Sequence, residues 1–84
     1  MTLYVAGASR RSLRAVDNVR EFCEQELTGN YDLEVVDLYR AVEQAKAAQI
    51  IAAPTLLRHE PGPTRRVIGD MSDRHRLREA IKVA

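Results

Sequence analysis

Pro54 constrains this chain more than any other residue. The residues before it, from Arg40 to about Gln49, are rich in Ala, Glu, Gln and Lys and favour a helix. Proline cannot continue that helix, because it lacks the N–H and its ring clashes with the preceding turn. The residues after it, Thr55 to His59, read as a strand. Ala53-Pro54-Thr55-Leu56-Leu57 therefore marks a corner between a helix and a strand.

The rest of the chain fits around that corner. Thr2-Leu3-Tyr4-Val5-Ala6 is a short apolar run ending at Gly7, which predicts a buried first strand. Ser9 is placed to cap a helix from about Arg10 to Leu27. Leu13, Val16, Val19, Cys23 and Leu27 recur at three- and four-residue steps and predict its buried stripe. Thr28-Gly29-Asn30 ends that helix, with glycine suited to a left-handed position. Asp32 to Leu38 predicts a second strand, parallel to the first because a helix joins the two. Glu60-Pro61-Gly62-Pro63 is a turn, so Arg65-Arg66-Val67-Ile68 is expected to run antiparallel to the third strand. Asp70 or Ser72 is placed to cap a last helix through Lys82, with Leu77, Ala80 and Ile81 on its inner face. The order is βαβαββα in a single α/β domain over residues 1–84, with a mixed four-stranded sheet and three helices.

Composition narrows the functional classes. The 84 residues include 13 Lys and Arg against 12 Asp and Glu, a net charge of +1. That balance gives no strong nucleic-acid footprint. Hydrophobic residues make up 45% and charged residues 30%, which argues against disorder. No apolar run reaches the roughly 18 residues of a membrane helix. The first residues lack the basic stretch of a signal peptide, and a lone cysteine cannot form an internal disulfide, so a cytoplasmic protein is expected.

A Pro-Thr corner late in a βαβα pattern resembles the thioredoxin-like fold, in which the proline is cis. The resemblance implies a cis Ala53–Pro54 bond. Thioredoxin-like enzymes also carry a thiol at the N-terminus of the first helix, where the helix field lowers its pKa. Here that place reads Ala8-Ser9-Arg10-Arg11-Ser12, with two serines at the cysteine spacing. The scaffold without its thiols points to binding rather than catalysis.

Other candidate chemistry is sparse. Cys23 falls within the expected stripe and is read as a buried, unreactive thiol. His59 and His75 lie apart, without metal-ligand spacing, and are read as surface residues. No metal or cofactor is expected. Arginine supplies 11 of the 13 basic residues, with Arg10, Arg11 and Arg14 on the first helix and Arg65 and Arg66 on the fourth strand. Arginine forks suit carboxylates, phosphates and protein interfaces. A solvated face laced with Glu21, Glu24 and Glu26 is the plain alternative. Three Tyr and one Phe are too few for a base-stacking platform, so nucleic acid is disfavoured.

With the elements placed, the chain resembles the KaiB family of circadian clock adaptors. The resemblance rests on Leu3-Tyr4-Val5-Ala6-Gly7, Ser12-Leu13-Arg14-Ala15, Tyr31 with Val35-Val36-Asp37, Ala53-Pro54-Thr55-Leu56, and Arg65-Arg66-Val67-Ile68-Gly69-Asp70-Met71-Ser72. It implies a non-enzymatic adaptor that binds a KaiC-like hexameric RecA-type ATPase, with a further clock or signalling protein as a possible second partner. It also implies the contact residues Arg14, Tyr31, Arg65 and Arg66, with Gly69 and Asp70 shaping the adjacent turn. A thioredoxin-like redox or thiol-transfer protein and an arginine-mediated RNA-binding domain are the competing readings.

Members of that family also adopt a rearranged βαββααβ fold that self-associates. Three residues are read as deciding between the folds: Pro54 at the corner, and Ala80 and Lys82 in the last segment. That segment, Arg74-His75-Arg76-Leu77-Arg78-Glu79-Ala80-Ile81-Lys82, has one β-branched residue and favours helix. A thioredoxin-like monomer is therefore the expected resting state. Ala41-Val42 and Glu34 depart from the family's usual Asn-Pro and basic residue.

Overall fold

β1 (Thr2–Val5) is buried along its whole length, and the other elements are arranged around it. A computed structural model describes residues 1–28, 30–50, 53–59 and 63–81. After β1 come α1 (Arg10–Glu26), β2 (Glu34–Asp37), α2 (Val42–Ala47), β3 (Thr55–Arg58), β4 (Arg65–Ile68) and α3 (Arg74–Ile81). The strands form one sheet in the order β2-β1-β3-β4. β1 pairs with β2 in parallel, while β3 pairs antiparallel with both β1 and β4. This is the thioredoxin-like βαβαββα order, not the rearranged alternative. The Ala53–Pro54 bond is cis. Gly29, the centre of the expected turn at residues 60–62, and Lys82 lie outside the described residues.

Strand alternation divides the core in two. Leu3 and Val5 of β1, Leu56 of β3 and Val67 of β4 face α1 and α3 and form the larger cluster. Tyr4, Val36 and Leu57 face the other way, against Leu38, Ala41, Ala48 and Ile50 beside α2. Burying such residues is worth roughly 25 cal/mol per Å² of apolar surface, so the larger cluster supplies most of the driving force.

The buried face of α1 is rotated from the expected stripe. Ser12, Ala15, Val19, Phe22 and Cys23 are buried, whereas Leu13 is 55% exposed. The steps of three and four are the same, but the face centres on Ala15, Val19 and Phe22. Phe22 has the larger surface to bury, and placing it inside turns Leu13 outward.

Several boundaries also differ. α1 ends at Glu26 with Leu27 as its C-cap, and Thr28 takes the left-handed conformation next to it at φ 48°. β2 is shorter than the expected Asp32 to Leu38. α2 is shorter than the expected run from Arg40. The N–H groups of Arg40 and Ala41 first turn back to the Asp37 carbonyl at 3.0 Å, and Gln49 at φ 57° stops the helix. Asp73, not Asp70 or Ser72, caps α3. Its Oδ1 accepts the N–H groups of His75 and Arg76 at 3.1 and 3.2 Å.

Candidate functional site

The expected site residues divide once the strands are placed. Arg14, Gly69 and Asp70 come together where the end of β4 meets α1. The link from β4 to α3 is an unusual turn. Gly69 has φ 123° and Met71 φ 64°. A Cβ on Gly69 would touch nothing within 4 Å, so backbone conformation rather than space demands glycine there. The turn is held from several sides. The Gly69 N–H donates to the Pro54 carbonyl at 3.0 Å. The Asn18 amide on α1 donates to the Asp70 carbonyl at 2.9 Å. The Asp70 carboxylate accepts the Ser72 N–H at 3.1 Å and lies 3.6 Å from the Arg14 guanidinium. Hydrogen bonds from Ser72, and behind them Arg14, hold the Asp70 carboxyl below its usual pKa. A turn in rare backbone conformations, tied on every side, presents its outer atoms rigidly.

Arg65 and Arg66 are held differently, because adjacent strand residues point to opposite faces. Arg66 shares the face of Leu57, its cross-strand partner. Its guanidinium forks onto the carbonyls of Ala48 and Gln49, each at 3.1 Å, and so closes the end of α2. Arg65 lies on the other face and lines a depression with Arg76 and Glu79 of α3, whose rim Arg66 also reaches. Tyr31 stands apart from the turn. Its hydroxyl donates to Glu24 Oε1 at 2.7 Å, and that bond raises the tyrosine pKa. It shares a depression with Arg20 and Asp32.

The serines in the cysteine positions are occupied by structure. Ser9 Oγ accepts the Ser12 N–H at 3.2 Å, capping α1, and its hydroxyl donates to Ser12 Oγ at 2.9 Å. Ser12 Oγ accepts the Ala6 N–H at 3.0 Å and is almost fully buried. None of these contacts is to a base that would activate an alcohol. Cys23 is fully buried, and desolvation pushes its thiol up to about 11. His75 Nε2 lies 2.8 Å from Glu79 within α3, and His59 is exposed with its Nε2 3.3 Å from Thr2 Oγ1. No group of three or more metal-ligating side chains occurs among the described residues. No described helix is long and apolar enough to cross a membrane.

Two positioning residues escaped the sequence reading. Asn18 was legible in principle. Asparagine is a poor mid-helix residue, and four residues after Arg14 it shares that residue's face. Asp37 ends β2, and its Oδ1 accepts the N–H groups of Gly7 at 3.2 Å and Tyr39 at 2.9 Å. It thereby joins the loops that follow the parallel strands. The acidic partners of the arginines also differ from the expected lacing of α1. Glu26 pairs with Arg74 and Arg78 across to α3, at 3.8 and 3.2 Å.

Comparison with known proteins gives a consistent result. Residues 2–83 match the family model described as the KaiB domain. A circadian clock oscillator protein KaiB from Prochlorococcus marinus (strain MIT 9313) is 44% identical over 77 residues, covering 92% of this chain and 65% of that protein. The protein of the same name from strain NATL2A is 43% identical over 77 residues, covering 92% of this chain and 72% of its own length. That from Nostoc punctiforme (strain ATCC 29133 / PCC 73102) is 42% identical over 77 residues, covering 92% of this chain and 74% of its own length. The chain thus spans 65% of the length of the first of these relatives and somewhat more of the others.

Proposed function

The chain belongs to the KaiB family, and we propose that it is a non-enzymatic adaptor that docks on a KaiC-like hexameric RecA-type ATPase and regulates that enzyme's timing or signalling activity. The observation that carries this reading is the state of Ser9 and Ser12. Where a thioredoxin-like enzyme holds its reactive thiols, this chain has two hydroxyls engaged with each other and with the backbone. That arrangement supports a binding role over the redox and thiol-transfer alternative. The contact face we assign includes Arg14, Arg65, Gly69 and Asp70. Arg66 contributes by fixing α2, and Tyr31 serves a separate contact at the other end of α1.

The test is direct. The chain is mixed with the KaiC-like ATPase of the same genome, in its ATP- and ADP-bound states. Co-elution with the hexamer and an altered ATPase rate are expected. No complex in either nucleotide state would overturn the partner. Catalytic turnover in an insulin-reduction or glutathione-transfer assay would overturn the non-enzymatic role.

A further inference from the structure

Three carboxylates and four arginines share the surface where α1, the end of β4 and α3 meet. Arg11 and Arg14 line a depression of about 340 Å³ with the 69–73 turn and Arg76. Arg76 also lines the neighbouring depression with Arg65 and Glu79. The two depressions are adjacent and share Arg76 and Val67 in their linings. The acidic groups on this surface are already engaged. Asp70 takes Ser72 and Arg14. Asp73 caps α3. Glu79 meets His75 at 2.8 Å. Arg11, Arg65 and Arg76 are exposed, and their guanidinium groups have no hydrogen bond or ion pair among the described residues.

We propose that Arg11, Arg14, Arg76 and Arg65 form one basic stripe that docks a carboxylate-rich segment of a partner protein. The inference rests on the reading of this chain as a binding protein and adds the chemistry of what is bound. It also brings in Arg11 and Arg76. Guanidinium forks pair bidentately with carboxylates. Opposite charge across a protein interface sets encounter rate and register. A nucleic-acid strand fits the stripe less well. Among the aromatic residues, Tyr4 and Phe22 are buried, and neither Tyr31 nor Tyr39 lines either depression. Bases would have no ring to stack on. Asp70, Asp73 and Glu79 would also face a phosphate backbone along its path, whereas a peptide can space its carboxylates around them.

The test titrates the isotope-labelled chain with a short glutamate-rich peptide and, separately, with an oligouridylate of matched charge. Arginine Nε–Hε signals are followed by NMR, starting at low salt and rising to about 0.15 M. Saturable peptide shifts are expected at Arg11, Arg14, Arg65 and Arg76, with Arg20 unmoved. The R11Q/R76Q double variant is expected to bind the peptide about tenfold more weakly, and R20Q to bind it unchanged. Both substituted residues are exposed, and matching amide spectra confirm the fold; if the double variant misfolds, the single variants give the same readout. Three results overturn the proposal: no saturable peptide binding at low salt, parental affinity in R11Q/R76Q, or tighter binding of the oligouridylate at the higher salt. No ATPase takes part. A chain that binds the peptide on the stripe but ignores the KaiC-like hexamer loses its proposed partner and keeps this surface.

Discussion

Arg78 meets the Glu26 carboxylate at 3.2 Å and so fastens the middle of α3 to the last turn of α1. The same carboxylate lies 3.8 Å from Arg74. Arg74 also donates to Gln25 at 2.9 Å and stacks over the Phe22 ring, 5.2 Å from its centroid. From beneath, the buried Arg58 on β3 donates to the Ala80 carbonyl near the end of α3. α3 is therefore held by charge on two sides as well as by Leu77, Ala80 and Ile81 in the core.

Glu26→Gln is expected to lower stability by about 0.5–1 kcal/mol, since partly exposed ion pairs contribute little each. The loss should shrink as salt screens the parent's pairs. Urea denaturation at two salt concentrations measures it. Amide exchange should speed up in α3 and stay unchanged in β1. Equal acceleration in both elements would mean that Glu26 does not hold α3 in particular.

Arg66→Lys keeps the charge of Arg66 but cannot reproduce the fork onto Ala48 and Gln49. Faster exchange of α2 amides is expected, with a stability loss of about 1 kcal/mol. Unchanged exchange in α2 would remove the structural role and return Arg66 to the set of free contact arginines.

Much of the fold could be read from the residues, because strand and turn signals were strong and local. β4 fell where expected, and Ser9 and Pro54 were legible as punctuation. What escaped depended on three-dimensional competition. Periodicity fixed the step of the α1 stripe but not its phase, which burial of Phe22 decided. Asp70, Ser72 and Asp73 are all good caps; in the fold Asp70 is taken up by the turn and Asp73 caps α3. Arg65 and Arg66 look like one cluster in sequence, yet strand alternation sends them to opposite faces. Arg11 and Arg76 are far apart along the chain, and only the packing of α3 beside α1 brings them to one depression.

Cys23 should react slowly with a small thiol reagent in the native state and quickly once denatured, because it is fully buried. Its thiol is raised from 9.0 to about 11 by burial. The folded state therefore favours the neutral thiol. This contribution is fully present below pH 9.0 and is lost as pH climbs towards about 11. It amounts to roughly 3 kcal/mol at its greatest. Urea midpoints across that range test it, with Cys23→Ala as the reference, whose decline in stability with pH should be shallower. Rapid labelling of the folded protein would contradict the burial.

Gly69→Ala isolates the backbone requirement of the β4–α3 turn. Nothing lies within 4 Å of the added methyl group, so any cost comes from φ 123° alone. A loss of about 1–3 kcal/mol is expected. Weaker partner binding should accompany it, because Asp70 follows directly. Unchanged thermal stability would show that the turn relaxes without cost and does not depend on glycine.

Ala80→Gly tests whether the helical C-terminal segment is the resting form. Ala80 is buried in the last turn of α3, and its carbonyl receives the Arg58 guanidinium. Glycine there disfavours helix by about 1 kcal/mol and removes a buried methyl worth about 0.8 kcal/mol. An extended segment loses less, because its alternate residues meet solvent in any case. In the parent protein, carbon chemical shifts across residues 74–81 are expected to be helical, and sedimentation to report a monomer. In Ala80→Gly, α3 protection should fall by about 2 kcal/mol while β1 and β3 stay protected until global unfolding. Gaps between two packings of one sequence can be only a few kcal/mol, so a minor extended species should become more visible in the variant. A parent chain that sediments as a tetramer with extended shifts over 74–81 would overturn the helical resting state.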